Sequence, residues 1–459
     1  LAMSSCHDLA CELLRPCCQH VMGELDLECS AKQPASEHGN SSAKTTGSAD
    51  QRPEKAEILP NPLFECESDR SNYSLYTLLI KGGFLVDPAQ GLYGRMDVAI
   101  SKGRVAAVER NIPESKAKKT VDATGMVVTP GLIDLHTHTA HGVVRLSVDP
   151  VRSCLLRGST TVVDAGSTGE LTFSPFKRFV IDKSDARILA FLNIESLGML
   201  EFAAIRPRWT DQEWPRLLTA VEEVFAKMFI NIENTVSTIG RNRSTIVGIK
   251  WAHHGIRGMG LAREAADKAR CRLMIENHFM PQALKHVKRG DIVTHLYHNY
   301  LNPNAGYYDG LTEDGKIRPE FYKASRRGVI LDVGHGKGSF SWKVAELAFR
   351  EGIEPNTISS DLWVGNVKGP VYDLPTTMSK FLHLGMKVLE VVRATTATPA
   401  AVIGRLGEIG TLKRGACADV AVFRMKEGRF PLVDSYGKGR TGSRLLVPMR
   451  VVRGGSLIA

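Results

Sequence analysis

His136 and His138 stand two apart at the end of an apolar run, VVTPGLIDLHTH, and could hold one metal ion between them. Side chains on a strand alternate faces, so residues two apart point the same way, and imidazole nitrogen is a good ligand for zinc. Lys250 stands in IVGIKWA, apolar on both sides, where an uncompensated ammonium is costly. Three readings fit it: pairing with Asp361, escape of its ammonium to the surface, or reaction with CO2 to a carbamate whose two anionic oxygens can bridge two cations. Its place between the histidine pair and a later histidine favours the carbamate. His295 closes DIVTHLYH, with His298 on the opposite face as a packed or hydrogen-bonding residue. Asp361 closes TISSD, where a carboxylate can both ligate a metal and take a proton from a bridging water whose pKa the cations lower to about 7.

These residues need a frame that brings them together. From about Val127 to Pro399, short apolar runs alternate with longer amphipathic stretches, the pattern of βα units and a parallel sheet. The candidate strands are GLIDLHTH, TTVVDAG, ILAFLNIES, IVGIKWA, RLMIENH, DIVTHLYH, GVILDVGHG and TISSDLW. Eight such strands close a barrel, and barrel enzymes draw their chemistry from strand C-terminal ends. His136 and His138 close the first strand, Lys250 the fourth, Glu276 and His278 the fifth, His295 the sixth and Asp361 the eighth. The expected fold is therefore α/β, a (β/α)8 TIM barrel over residues 129–404. On either side lie short β-forming runs with Gly turns, YTLLIKGGFLVD and DVAISKGRVAAVE before it, ADVAVF and RLLVPMRVVRGG after it. They predict one small β-sandwich domain formed by both chain ends, residues 76–128 and 405–459.

Residues 1–75 read as a Cys-containing extension with a disordered linker from Ser30 to Pro60. That segment holds six of the nine cysteines and six Lys/Arg against twelve Asp/Glu, which leaves +16 on the remainder of a chain whose net charge is +10. The other cysteines, Cys154, Cys271 and Cys417, are scattered, as expected for reduced thiols in a cytoplasmic protein. The basic residues neither cluster nor interleave with aromatics, so no nucleic-acid partner is expected; no apolar stretch is long enough to span a membrane.

VVTPGLIDLHTH, ATTATPAAVIG and ADVAVF resemble the amidohydrolase superfamily over Tyr76 to Val452. GIK, GDIVTHLYH, LDVGHGKGSFSW and TISSDLW are similar to its deacetylase branch, relatives of dihydroorotase and D-aminoacylase. The resemblance implies two divalent ions, zinc: one on His136, His138 and Asp361, the second on His295, with carboxylated Lys250 bridging both. It implies a hydrolase for an amide, cyclic amide or ester, with Asp361 activating a bridging hydroxide. The branch normally ends its fifth strand with His. Here Glu276 takes the aligned position, favoured by strand length, and His278 lies one same-face step beyond, favoured by ligand chemistry. A dihydroorotase or hydantoinase-type cyclic amidase is an alternative, although Ala140 stands where dihydroorotases place a carboxylate-binding Arg. A barrel that lost catalysis and serves binding or assembly is another. Candidates to line the pocket for a small-molecule substrate are His141, Arg145, His254, Tyr297, His335 and Trp363, and a homo-oligomer is expected.

Overall fold

The computed structural model describes residues 74–200, 228–252, 257–276, 281–299, 310–312 and 314–459. The extension expected over residues 1–75 lies outside them up to residue 73. Both ends of the described chain meet in one eight-stranded sheet. Its strands are β1 (Leu78–Asp87), β2 (Leu92–Ser101), β3 (Arg104–Glu109), β4 (Thr120–Asp122), β5 (Val127–Pro130), β13 (Val420–Val433), β14 (Gly439–Arg453) and β15 (Ser456–Leu457). The order is β15-β14-β13-β5-β1-β2-β3, with β4 on β1, and the chain ends join where β5 runs antiparallel to β13.

Period-two alternation explains why β13 opens on four apolar residues, VAVF. Val420 and Val422 join the sheet's own core with Leu78, Ile80, Val98 and Val452, whereas Ala421 and Phe423 join the large cluster shared with the barrel's helices. A strand buried on both faces has no polar face to show.

The second sheet is the parallel series β6 (Leu132–Thr137), β7 (Ser159–Ala165), β8 (Arg187–Asn193), β9 (Ile246–Trp251), β10 (Arg272–Glu276), β11 (Ile292–Thr294) and β12 (Ile330–Leu331). Segment 357–362 closes it into a barrel, bridging to β12 through Asp332 and Thr357 and to β6 through Thr137 and Leu362. The backbone of Asp361 donates to His136 (2.7 Å) and that of His138 to Leu362 (2.9 Å). Seven of the eight expected strands are thus present in order, and segment 357–362 stands at the place of the eighth. In β9 the flanking Ile249 and Trp251 belong to the cluster under the helices, so Lys250 between them faces the barrel interior. Among the described residues no helix is long and apolar enough to cross a membrane.

Asp419, at the entrance to β13, ties the two sheets together. Its carboxylate accepts from Arg187 at the start of β8, from Arg453 (3.5 Å) and from the Gly454 backbone (2.8 Å), and its carbonyl accepts from Gly131 (2.8 Å), which leads into β6. Asp419→Ala should destabilise the protein by about 3 kcal/mol, because it strands the mostly buried Arg187 guanidinium, while pairing it with Arg187→Met should recover part of the loss. Chemical denaturation of both variants checks this; a single variant as stable as the parent would contradict it.

Candidate metal and active site

The ionisable residues converge at the C-terminal mouth of the barrel. Asp361 Oδ1 lies 3.1 Å from His138 Nε2 and 3.4 Å from His136 Nε2. One ligand atom from each of these buried residues falls within 4.8 Å of the others, a spacing suited to a single divalent ion. Lys250 Nζ sits 3.5 Å from His136 Nε2 and 3.6 Å from Glu276 Oε1, and that same carboxylate oxygen lies 3.4 Å from His295 Nε2. The arrangement is two clusters, His136-His138-Asp361 and Glu276-His295, with Lys250 between them. Strand register produces it: β10 pairs Met274 with Lys250 of β9 and Glu276 with Thr294 of β11, one residue before His295. Among the described residues Glu276, the last of β10, is the fifth-strand residue beside Lys250 and His295. His278 lies outside the described residues, as does His254.

All three imidazoles turn Nε2 to the centre because Nδ1 is engaged from behind. His136 Nδ1 faces the Thr294 hydroxyl (2.9 Å), which donates onward to Asp332 (2.7 Å) and so accepts from the ring. His295 Nδ1 donates to the Gly334 carbonyl (2.7 Å). His138 Nδ1 meets the Ser167 hydroxyl (2.9 Å), itself bonded to Asp164, whose carboxylate also accepts from the Ser167 and Thr139 backbones. Such partners fix the tautomer and leave the Nε2 lone pair for a cation. The three aspartates behind the ligands, Asp134, Asp164 and Asp332, escaped the sequence reading. Their signal was there: an acid inside each apolar run GLIDLH, TTVVDAG and GVILDVG.

Burial dominates the electrostatics. It holds His136 well below the ordinary histidine value, reinforced by Lys250, His295 and His138, and it lowers Lys250 against the pull of Glu276, Asp361 and Asp332. Burial works the other way on acids, raising Asp332 and pushing Asp134 up to about 7. For His295 burial is outweighed by the hydrogen bond and charge of Glu276, and its value rises. His295 (φ 63°) and Asp361 (φ 48°) both adopt left-handed backbone that non-glycine residues avoid, strain that concentrates at functional positions.

The pocket candidates separate. His141 is exposed on the loop after β6, its Nδ1 3.4 Å from the Ser147 carbonyl, and Arg145 is exposed nearby. Trp363, half-buried, follows Asp361 and Leu362 beside that same loop, where the Val364 backbone donates to the Leu146 carbonyl (3.0 Å). Tyr297 and His335, expected to line the pocket, are instead fully buried. Tyr297 packs against Phe340, Phe349 and Phe381 and bonds the Ile353 carbonyl (3.2 Å). His335 stacks on Phe340 and accepts from Lys380 (2.6 Å). Their ring chemistry suits a pocket, but the aromatic packing between strands and helices takes them.

A family model for a deacetylase-like composite domain matches residues 412–458, the β13–β15 end of the chain. The chain is 33% identical over 368 residues to a deacetylase of Agrobacterium fabrum, covering 78% of this chain and 85% of the relative. Its fold is similar to the crystal structure of a dihydroorotase, with TM-score 0.70 and 31% identity over 83% of this chain and 99% of that one. It is also similar to an adenine deaminase, with TM-score 0.70, 28% identity and the same coverage.

Thr294→Val removes the hydroxyl that relays between His136 and Asp332 while keeping shape. Zinc affinity, measured by competition with a chromogenic chelator, should fall about 10- to 100-fold, and Thr294→Ser should retain it. Equal affinity for the Val variant and the parent would show that His136 needs no such support.

Proposed function

This chain belongs to the amidohydrolase superfamily, among its deacetylases, and from there we propose that it hydrolyses an acyl amide or ester of a small molecule, with Asp361 as the proton carrier. It is a hydrolase acting on carbon–nitrogen bonds, and the observation that carries the finer reading is the Asp361 carboxylate held against two histidines whose Nε2 atoms face it. The donor set suits hard-to-borderline divalent ions: imidazole nitrogens and carboxylate oxygens, buried, with every Nδ1 engaged elsewhere. His136, His138 and Asp361 would hold one ion, His295 and Glu276 the second. Bound there, zinc or a similar ion acidifies water and polarises a carbonyl.

Lys250 completes the set by changing its charge. As an ammonium it would repel a cation beside His136; burial favours its neutral amine, which can attack CO2. The nitrogen–carbon bond forms as one C=O electron pair moves onto oxygen, the nitrogen gives its proton to water, and the product is an anionic carbamate whose two oxygens would be available as metal ligands. With Glu276 and Asp361 the site then carries three negative charges against two dications, a nearly neutral cage. Asp361 takes the proton of the attacking water and returns it to the departing nitrogen or oxygen, the usual contribution of a positioned general base. Residues 129–404 supply this chemistry, and the flanking pieces 76–128 and 405–459 brace it. A cyclic amidase is the second reading, supported by the likeness to the dihydroorotase; the fully buried Ala140 offers no cation for a substrate carboxylate.

Screening zinc-loaded protein with N-acyl amino acids, cyclic amides and acylated hydroxy acids should reveal turnover with an open-chain acyl compound. Asp361→Asn should keep most of its metal yet lose about 100-fold or more in kcat. A variant with near-parental kcat and full metal content would refute the role of Asp361, and turnover of cyclic amides alone would select the second reading.

A further inference from the structure

β13 and β14 span 14 and 15 residues, and their connecting tip reaches from the composite sheet to the loop that follows β12. Four residues fasten it there. The Ser435 hydroxyl faces the His335 (3.2 Å) and Gly336 (3.1 Å) carbonyls, and the Ser435 backbone donates to Phe340 (2.9 Å). Asp434 accepts from the Trp342 backbone (3.1 Å), while its other oxygen braces the turn through the amides of Tyr436 (2.9 Å) and Lys438 (2.8 Å). Tyr436 donates its hydroxyl to Gly338 (2.5 Å). Arg440 pairs bidentately with Glu346 on the helix Trp342–Arg350, at 2.6 and 3.0 Å.

Beneath the tip lies Lys380, fully buried on the helix Leu374–His383. Its ammonium donates to Val433 at the end of β13 (2.7 Å), to the Pro370 carbonyl (2.9 Å) and to His335 Nε2 (2.6 Å). Three donors thus meet three acceptors on three separate segments, which no apolar side chain of that length could join. The loop so held touches the site. The His335 and Gly336 backbones donate to Ser359 (3.2 Å) and Ser360 (3.0 Å), just before Asp361. A Cβ on Gly336 would lie only 2.3 Å from Asp361 Oδ2, so the Gly336 backbone stands beside the carboxylate, whose other oxygen faces the histidines, with no room for a side chain between them.

We propose that the β13–β14 tip is a positioning device for Asp361, with Ser435 and Lys380 as positioning residues that act through the His335–Gly336 backbone. The proposal rests on Asp361 being the proton carrier. It gives the C-terminal hairpin a task at the reacting carboxylate that its place in the composite sheet does not suggest. A shift of a few tenths of an ångström in Gly336 moves Oδ2, and rates are sensitive to misplacements of that order.

The test uses the full zinc-loaded chain with 4-nitrophenyl acetate as probe. Ser435→Ala should lower kcat about tenfold, the scale of one lost hydrogen bond, with KM, zinc content and melting temperature unchanged. Ser435→Thr, which keeps the hydroxyl, should restore most of the rate. Combined with Asp361→Asn, Ser435→Ala should cost nothing further, since the group it positions is gone. Amide hydrogen exchange on metal-free protein should be faster at residues 335–340 in Ser435→Ala. A parental kcat, an additive loss in the double variant, or unchanged exchange overturns the proposal while leaving Asp361 in place. Near-parental kcat for Asp361→Asn alone overturns the proton-carrier reading and this inference with it.

Discussion

Six ionisable side chains, His136, His138, Lys250, Glu276, His295 and Asp361, are buried together at one end of a barrel, and charge confined in so little water must be compensated. That requirement organises the surroundings. Hydroxyls and carbonyls from Thr294, Ser167 and Gly334 meet the outward nitrogens, buried aspartates stand behind the hydroxyls, and two site residues accept left-handed backbone to aim inward. As an ammonium, Lys250 already balances part of the Glu276 charge at 3.6 Å; as a carbamate it would leave a strongly anionic cage that only cations can fill.

Five strands contribute, and parallel register is what makes their ends coincide. Lys250 stands level with Met274, and β10 runs two residues further to Glu276, opposite the threonine before His295, while β6 and segment 357–362 meet through the backbone bonds around His136 and Asp361. The composite sheet then serves the barrel twice, at its base through Asp419 and Arg187 and at its mouth through the hairpin tip.

Where a feature follows from local periodicity, it was legible before any coordinates. Two-residue spacing in HTH and a lone lysine in IVGIKWA both turn on which face a side chain takes. The expectation that the fourth and fifth strands end in step does not match the register, in which β10 runs two residues past the Lys250 level to Glu276. Tyr297 and His335 lie past the regular strands, where alternation no longer governs, and aromatic neighbours from distant helices decided their direction. The relay from His136 to Thr294 to Asp332 joins three strands spread over nearly two hundred residues, a relation that no local pattern encodes. Both chain ends meet in one hydrogen-bonded eight-stranded sheet, joined where β5 pairs with β13, and its strands share a core of their own.

In the proposed chemistry Lys250 would carry a carbamate that completes an anionic cage for two cations. Protein prepared with zinc and 13C-labelled bicarbonate should show by NMR one slowly exchanging carbamate carbon, absent from Lys250→Met and lost when metal is stripped. Active protein that incorporates no label at Lys250 would contradict the account.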